Sequence, residues 1–95
     1  MILFDKRIKN MQRIIGRKAR YSGKEQNLDK VVIVAAMISR GAKDPDEHLY
    51  LDNDKDIAAA GGVAPTDRVE VRPIHPDGRV SWITCDPLFK DLQLD

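Results

Sequence analysis

The side chains best placed to do chemistry in this chain are cations at regular intervals near its start. Lys6, Lys9, Arg13, Arg17 and Arg20 are separated by 3, 4, 4 and 3 residues. At about 100° per residue a helix brings them to one side, along roughly 21 Å at 1.5 Å per residue. A row of that length can follow phosphates along a groove edge or meet an acidic protein surface. An ordinary solvated helix face has the same look, because exposed charges are common and individually weak.

A second group is acidic. Asp52, Asp54 and Asp56 take the first three ligand places of a calcium loop, but Ile57 and Val63 stand where that loop needs glycine and a bidentate glutamate. Helix capping and solvation explain these carboxylates better, or contact with a partner. Trp82 falls beside Arg72 across an expected hairpin, and a cation next to a ring suits both bases and protein hot spots. The plainer alternative puts Trp82 in the core beneath the first helix.

His48, His75, Cys85 and Asp86 do not form a catalytic set. Nucleophile and base must lie within hydrogen-bond reach, and His75 belongs to the far tip of the hairpin. Cys85 reads as a small buried residue. No Cys and His set has zinc spacing, and Gly61-Gly62 is too short to cradle a phosphate. The expectation is a protein that is not an enzyme, with no metal and no cofactor.

The elements that must position these groups follow from period and capping. Residues 4–20 have a helical stripe of Phe4, Ile8, Met11, Ile15 and Ala19, with Asp5 as a cap. Asn27 and Gly41 bracket Val31–Ile38 as N-cap and C-terminal glycine, which predicts a buried helix. Five of those eight residues are β-branched, so a buried strand remains the alternative. A short edge strand is expected at His48–Leu51, and a third helix from Asn53 or Asp54 to Gly61-Gly62. After Thr66 the period changes to two, and the turn "HPDG" joins two strands. A glycine-bulge turn pairing His75 with Arg79 places Val71 opposite Ile83 and Val69 opposite Cys85. Asp86-Pro87 predicts a short terminal helix carrying Leu88, Phe89 and Leu92.

The stretch "IAAAGGV" within residues 56–71 resembles the first helix and turn of helix-turn-helix and winged-helix DNA-binding modules, where alanine permits close packing and glycine the turn. The resemblance implies a short second helix over 65–72, with the PDG hairpin as a wing. Those families usually place a buried aliphatic six residues after the turn glycine. Counting from Gly62, Arg68 stands there and Val69 one place later. The alternation through Val69 and Val71 favours a helix, a loop and a hairpin.

Ninety-five residues predict a single domain. Its formal charge of +1 conceals a division: residues 1–24 hold eight bases against Asp5 alone, leaving eight bases and fourteen acids in 25–95. The expectation is a basic amphipathic helix on an acidic body. The longest uncharged apolar run, Val31–Ile38, is far short of the ~20 residues of a membrane span. The amphipathic stripe lacks tryptophan, so no membrane partner is expected. One cysteine suits a reducing compartment, hence a cytoplasmic protein.

These features predict an α+β fold, with three to four short helices on a small antiparallel sheet built around a C-terminal hairpin. The expected function is non-catalytic binding and regulation, with nucleic acid held by Lys6, Lys9, Arg13, Arg17 and Arg20. The alternative is a small phage-type inhibitor or adaptor of a nucleic-acid-processing protein, contacting it through Arg72, Trp82, Asp52, Asp54 and Asp56. Attraction between the basic and acidic parts of neighbouring copies also suggests a homo-oligomer.

Overall fold

Val31, Val32, Ile33 and Val34 decide the centre of the fold. The computed structural model describes residues 13–24, 28–39 and 47–95, and in it this run is strand, not helix. Its elements are β1 (Lys18–Tyr21), β2 (Lys30–Ile38), β3 (Leu49–Leu51), α1 (Asp54–Ala59), β4 (Arg68–Pro73), a 3-10 turn at Phe89–Asp91, and β5 (Leu92–Leu94). The expected α+β fold with three to four helices is corrected to a mainly antiparallel sheet. Among the described residues there is one helix, six residues long, besides the 3-10 turn.

Three physical causes lie behind the correction. β-Branched side chains lose rotamer freedom on a helix and pack well on a pleated strand. In β2 that preference prevails over the capping signals, and Asn27 and Gly41 lie outside the described residues. In the expected first helix, Ile15-Gly16 is a turn, with Gly16 at φ +83°, a conformation that glycine adopts without strain. Lys18–Tyr21 then alternates exposed and buried as a strand. The remainder of that helix, with Phe4, Ile8, Met11, Lys6 and Lys9, lies outside the described residues. Near the C-terminus, Leu88 supplies no side-chain cap, so Phe89–Asp91 makes one tight turn before β5.

β2 is paired on both edges. β4 runs along one edge from Val31↔Pro73 to Met37↔Arg68, with a bulge between Ile33 and Ala35. β1 takes the first part of the other edge and β3 the last, antiparallel in each case. The bulge inserts one residue, so Val31 and Ile33 before it and Ala36 and Ile38 after it all face the core. β5 pairs with the free edge of β1. The 85–88 segment lies along the free edge of β4, where Cys85 and Val71 exchange both backbone hydrogen bonds at 2.9 Å.

This segment and β5 are close neighbours in the chain, which forces the sheet to curl. Laid flat, four strand spacings would separate them by about 19 Å. Leu88 and Leu92 are four residues apart and span at most about 14 Å. The sheet therefore wraps around Ile14, Ala19, Val31, Ile33, Ala36, Ile38, Val69 and Val71, and Ile57 of α1 completes this cluster.

α1 agrees with its local signals. The Asn53 Oδ1 accepts from the Asp56 N–H at 2.9 Å, and the chain leaves the helix at Gly61-Gly62. The stretch "IAAAGGV" runs from within α1 through this exit. Beyond it, Arg68–Pro73 is β4, in agreement with the alternation of Val69 and Val71. The edge strand expected at His48–Leu51 is β3.

The hairpin turn also forms as expected: the His75 N–H donates to the Arg79 carbonyl and the Gly78 N–H to that of His75, both at 2.8 Å. Ile74 pairs with Val80. Beyond Ser81 the register departs from the expected one. Val71 meets Cys85 in place of Ile83, and the Val69 N–H donates to the Pro87 carbonyl in place of pairing with Cys85. Two extra residues bulge out after the buried Ser81, whose Oγ accepts from the Ile83 N–H at 3.1 Å.

Candidate functional site

The alternation that buries Ala19 and Tyr21 in β1 turns Lys18 and Arg20 outward. The same logic on β2 exposes Lys30, and on β4 it exposes Arg72. Register then gathers the four. Lys18, Val32 and Arg72 are Cα partners in one row across three strands. In the next row Arg20 lies directly opposite Lys30, whose carbonyl accepts from the Ile74 N–H at 2.9 Å. Spacings within and between strands put all four Cα atoms in a patch about 10 Å by 7 Å.

No ion pair links these four cations to any described acid; the one ion pair among the described residues is Arg79–Asp77, 2.7 Å, at the hairpin turn. Like charges directly opposite on a sheet are destabilising, so the Arg20–Lys30 pair weakens the free protein. Beside it lies an open groove of about 680 Å³ lined by Lys18, Lys30, Ile74, His75 and Pro76, with Asp29 and Asp95 also on its wall.

His75 lines a second hollow as well, of about 570 Å³, with Arg79, Val80, Ser81, Trp82 and Ile83. Trp82 is 92% exposed and Ile83 68%, so the core position considered for Trp82 is corrected. The two-residue bulge carries it out of the sheet. Asp77 beside this hollow is held below the usual carboxylate range, first by the Arg79 backbone N–H and then by the Arg79 guanidinium.

Among the described residues, the expected row is divided between a turn and a strand. Lys6 and Lys9 lie outside the described residues, and Arg13 is exposed on the approach to the Gly16 turn. Arg17 is half-buried, and its guanidinium donates to the Asp95 carbonyl. Of the three described members, Arg20 joins the outer patch. Lys18 and Lys30 were missed because a period of 100° takes Lys18 off the helical stripe and makes Lys30 a first-turn residue. The signal that finds them is the two-residue period of "KARY" and "KVVIV".

The three aspartates are used unequally. Asp54 is half-buried, and its Oδ1 accepts from the Ile14 and Ile15 N–H groups at 2.8 and 3.0 Å. Asp56 is exposed and accepts from the Asn53 side-chain amide at 2.8 Å, and Asp52 is exposed at 3.3 Å from the same amide. Close by, the Tyr50 hydroxyl donates to Glu70 at 2.9 Å; that bond, and then burial, raise the phenol pKa. Cys85 and His75 are separated by the strand from Val71 to His75, about 13 Å, too far to act as nucleophile and base. Among the described residues no three His, Cys, Asp or Glu side chains gather as a metal site. No described helix is long and apolar enough to cross a membrane.

No family model, curated protein or solved structure matches the chain. Its chemistry therefore rests on the outer face: four cations that form no ion pair with a described acid, beside a groove whose wall also carries Asp29 and Asp95, and an exposed ring.

Proposed function

We propose that this is a non-catalytic, cytoplasmic binding protein that holds nucleic acid against the outer face of β1, β2 and β4. The observation that supports this reading is the unpartnered Arg20–Lys30 pair flanked by Lys18 and Arg72. A juxtaposition that weakens the free fold becomes favourable once an anion bridges it. Phosphates spaced along a strand supply several such anions, and a sheet face holds the cations at fixed separations. Engagement of four phosphates gives a log–log salt slope of about −2.8 on single strands and about −3.6 on duplex DNA. The double variant Arg20→Glu/Lys30→Glu should lose this binding. A titration of the full chain near 50 mM salt that finds no salt-sensitive binding overturns the proposal.

A second reading, an inhibitor or adaptor of a nucleic-acid-processing protein, draws on a different surface. Leu49 and Tyr50 are exposed on β3, close in sequence to the exposed Asp52 and Asp56. This mixed apolar and acidic edge suits a cationic protein groove. Reversing Asp52 and Asp56 to lysine should abolish capture of such a partner and leave nucleic-acid affinity unchanged or raised.

A further inference from the structure

We infer that Trp82 is a base-stacking platform and that the nucleic acid bound is single-stranded. The inference rests on the nucleic-acid reading of the outer face and adds to it the class of strand.

Trp82 contributes little to the fold, being 92% exposed. The chain nevertheless holds it in place: the Ser81 N–H donates to the Pro73 carbonyl at 2.8 Å, and the Ser81 Oγ accepts from the Ile83 N–H just after the ring. Val80, 49% exposed, and Ile83 widen the apolar area around it. Of the two acids nearest in sequence, Asp77 is already engaged by Arg79, and the exposed Asp86 lies beyond Cys85, where the chain has rejoined β4. Since His75 lines both this hollow and the groove holding Lys18 and Lys30, the aromatic surface continues into the cationic one.

A duplex offers little to that combination, because its base faces are hidden in the stack and its outer surface is phosphate and groove edge. A single strand offers both parts at once, with phosphates for Lys18, Arg20, Lys30 and Arg72 and an unstacked base for the indole. Stacking is tolerant of base identity, so little sequence preference is expected.

Trp82 is the chain's one tryptophan, so its emission reports directly on the ring. The test titrates the full chain with oligodeoxythymidine and oligouridine of about 12 nucleotides and with a duplex of equal charge. Tryptophan emission is followed, together with the anisotropy of labelled strands. Both single strands should quench Trp82 and bind more tightly than the duplex. Trp82→Ala should weaken them about ten-fold with the salt slope unchanged, and Trp82→Phe should restore most of the loss. Circular dichroism checks that both variants fold. Equal single-strand and duplex affinity, unchanged emission and a neutral Trp82→Ala overturn this inference while the cationic face stands. Absence of binding to every nucleic acid removes both readings. So does a protein partner whose capture alone depends on Trp82.

Discussion

The two faces of β1, β2 and β4 differ by a single step along each strand and have opposite fates. Inward lie Ala19, Val31, Ile33 and Val71, all essentially inaccessible; outward lie Lys18, Arg20, Lys30 and Arg72, all exposed. On the inner face each side chain is satisfied by its neighbours, so the fold itself accounts for its presence. The outer cations oppose one another and form no ion pair with a described acid, so the fold does not account for them. Such a difference separates residues that make the structure from residues that use it.

The largest effect should come from the inner face. Ile33→Ala removes a fully buried side chain at the centre of the sheet and should destabilise by about 2–5 kcal/mol, read from urea unfolding. A loss below ~1 kcal/mol would mean that β2 is not the central strand. Next is Asp54, whose carboxylate satisfies two backbone N–H groups across 40 residues of chain. Asp54→Ala should cost about 2–3 kcal/mol, and Asp56→Ala about 1 kcal/mol or less, since Asp56 is exposed and its backbone N–H keeps the Asn53 cap.

The outer face should behave in reverse. Lys30→Glu turns a repulsive cross-strand pair with Arg20 into an attractive one and should raise stability by a few tenths to about 1 kcal/mol. The same change should weaken nucleic-acid binding. A variant that loses both stability and binding would show that Lys30 is needed by the fold and would dissolve the contrast between the faces. The smallest effect belongs to the rim where the outer face meets the hairpin. Because the Asp77 carboxyl titrates lower in the folded chain than in the unfolded one, its contribution is fully present above the ordinary carboxylate pKa. It fades as pH falls through the lowered value. Asp77→Asn should therefore flatten the acid limb of the stability profile slightly and leave neutral pH little changed.

Elements whose cause lies within a few residues were legible in the chain. Asn53 caps α1 and Gly61-Gly62 ends it; "HPDG" makes its bulged turn, and His75 pairs with Arg79 as expected. The site was legible in part: cationic charge near the start was visible, and of Arg13, Arg17 and Arg20, the described members of the expected row, Arg20 reaches the patch. Trp82 and Arg72 were singled out, but as a facing pair, and the two-residue bulge after Ser81 breaks that register.

By itself the sequence determined the capped helix, the turn and the excess of positive charge in residues 1–24, because caps, turns and composition are local properties. Tertiary structure alone decided that Val31–Ile38 is a doubly flanked strand and that Lys18 belongs with Arg72. It also decided that the sheet curls around one core until the 85–88 segment and β5 approach each other. A strand's hydrogen-bond partners lie far away in the chain, and an apolar run carries no mark of which partners it will find. Once β4 and β1 take opposite edges of β2, each one-residue step assigns a side chain to the core or to the surface, and the cations are gathered by register.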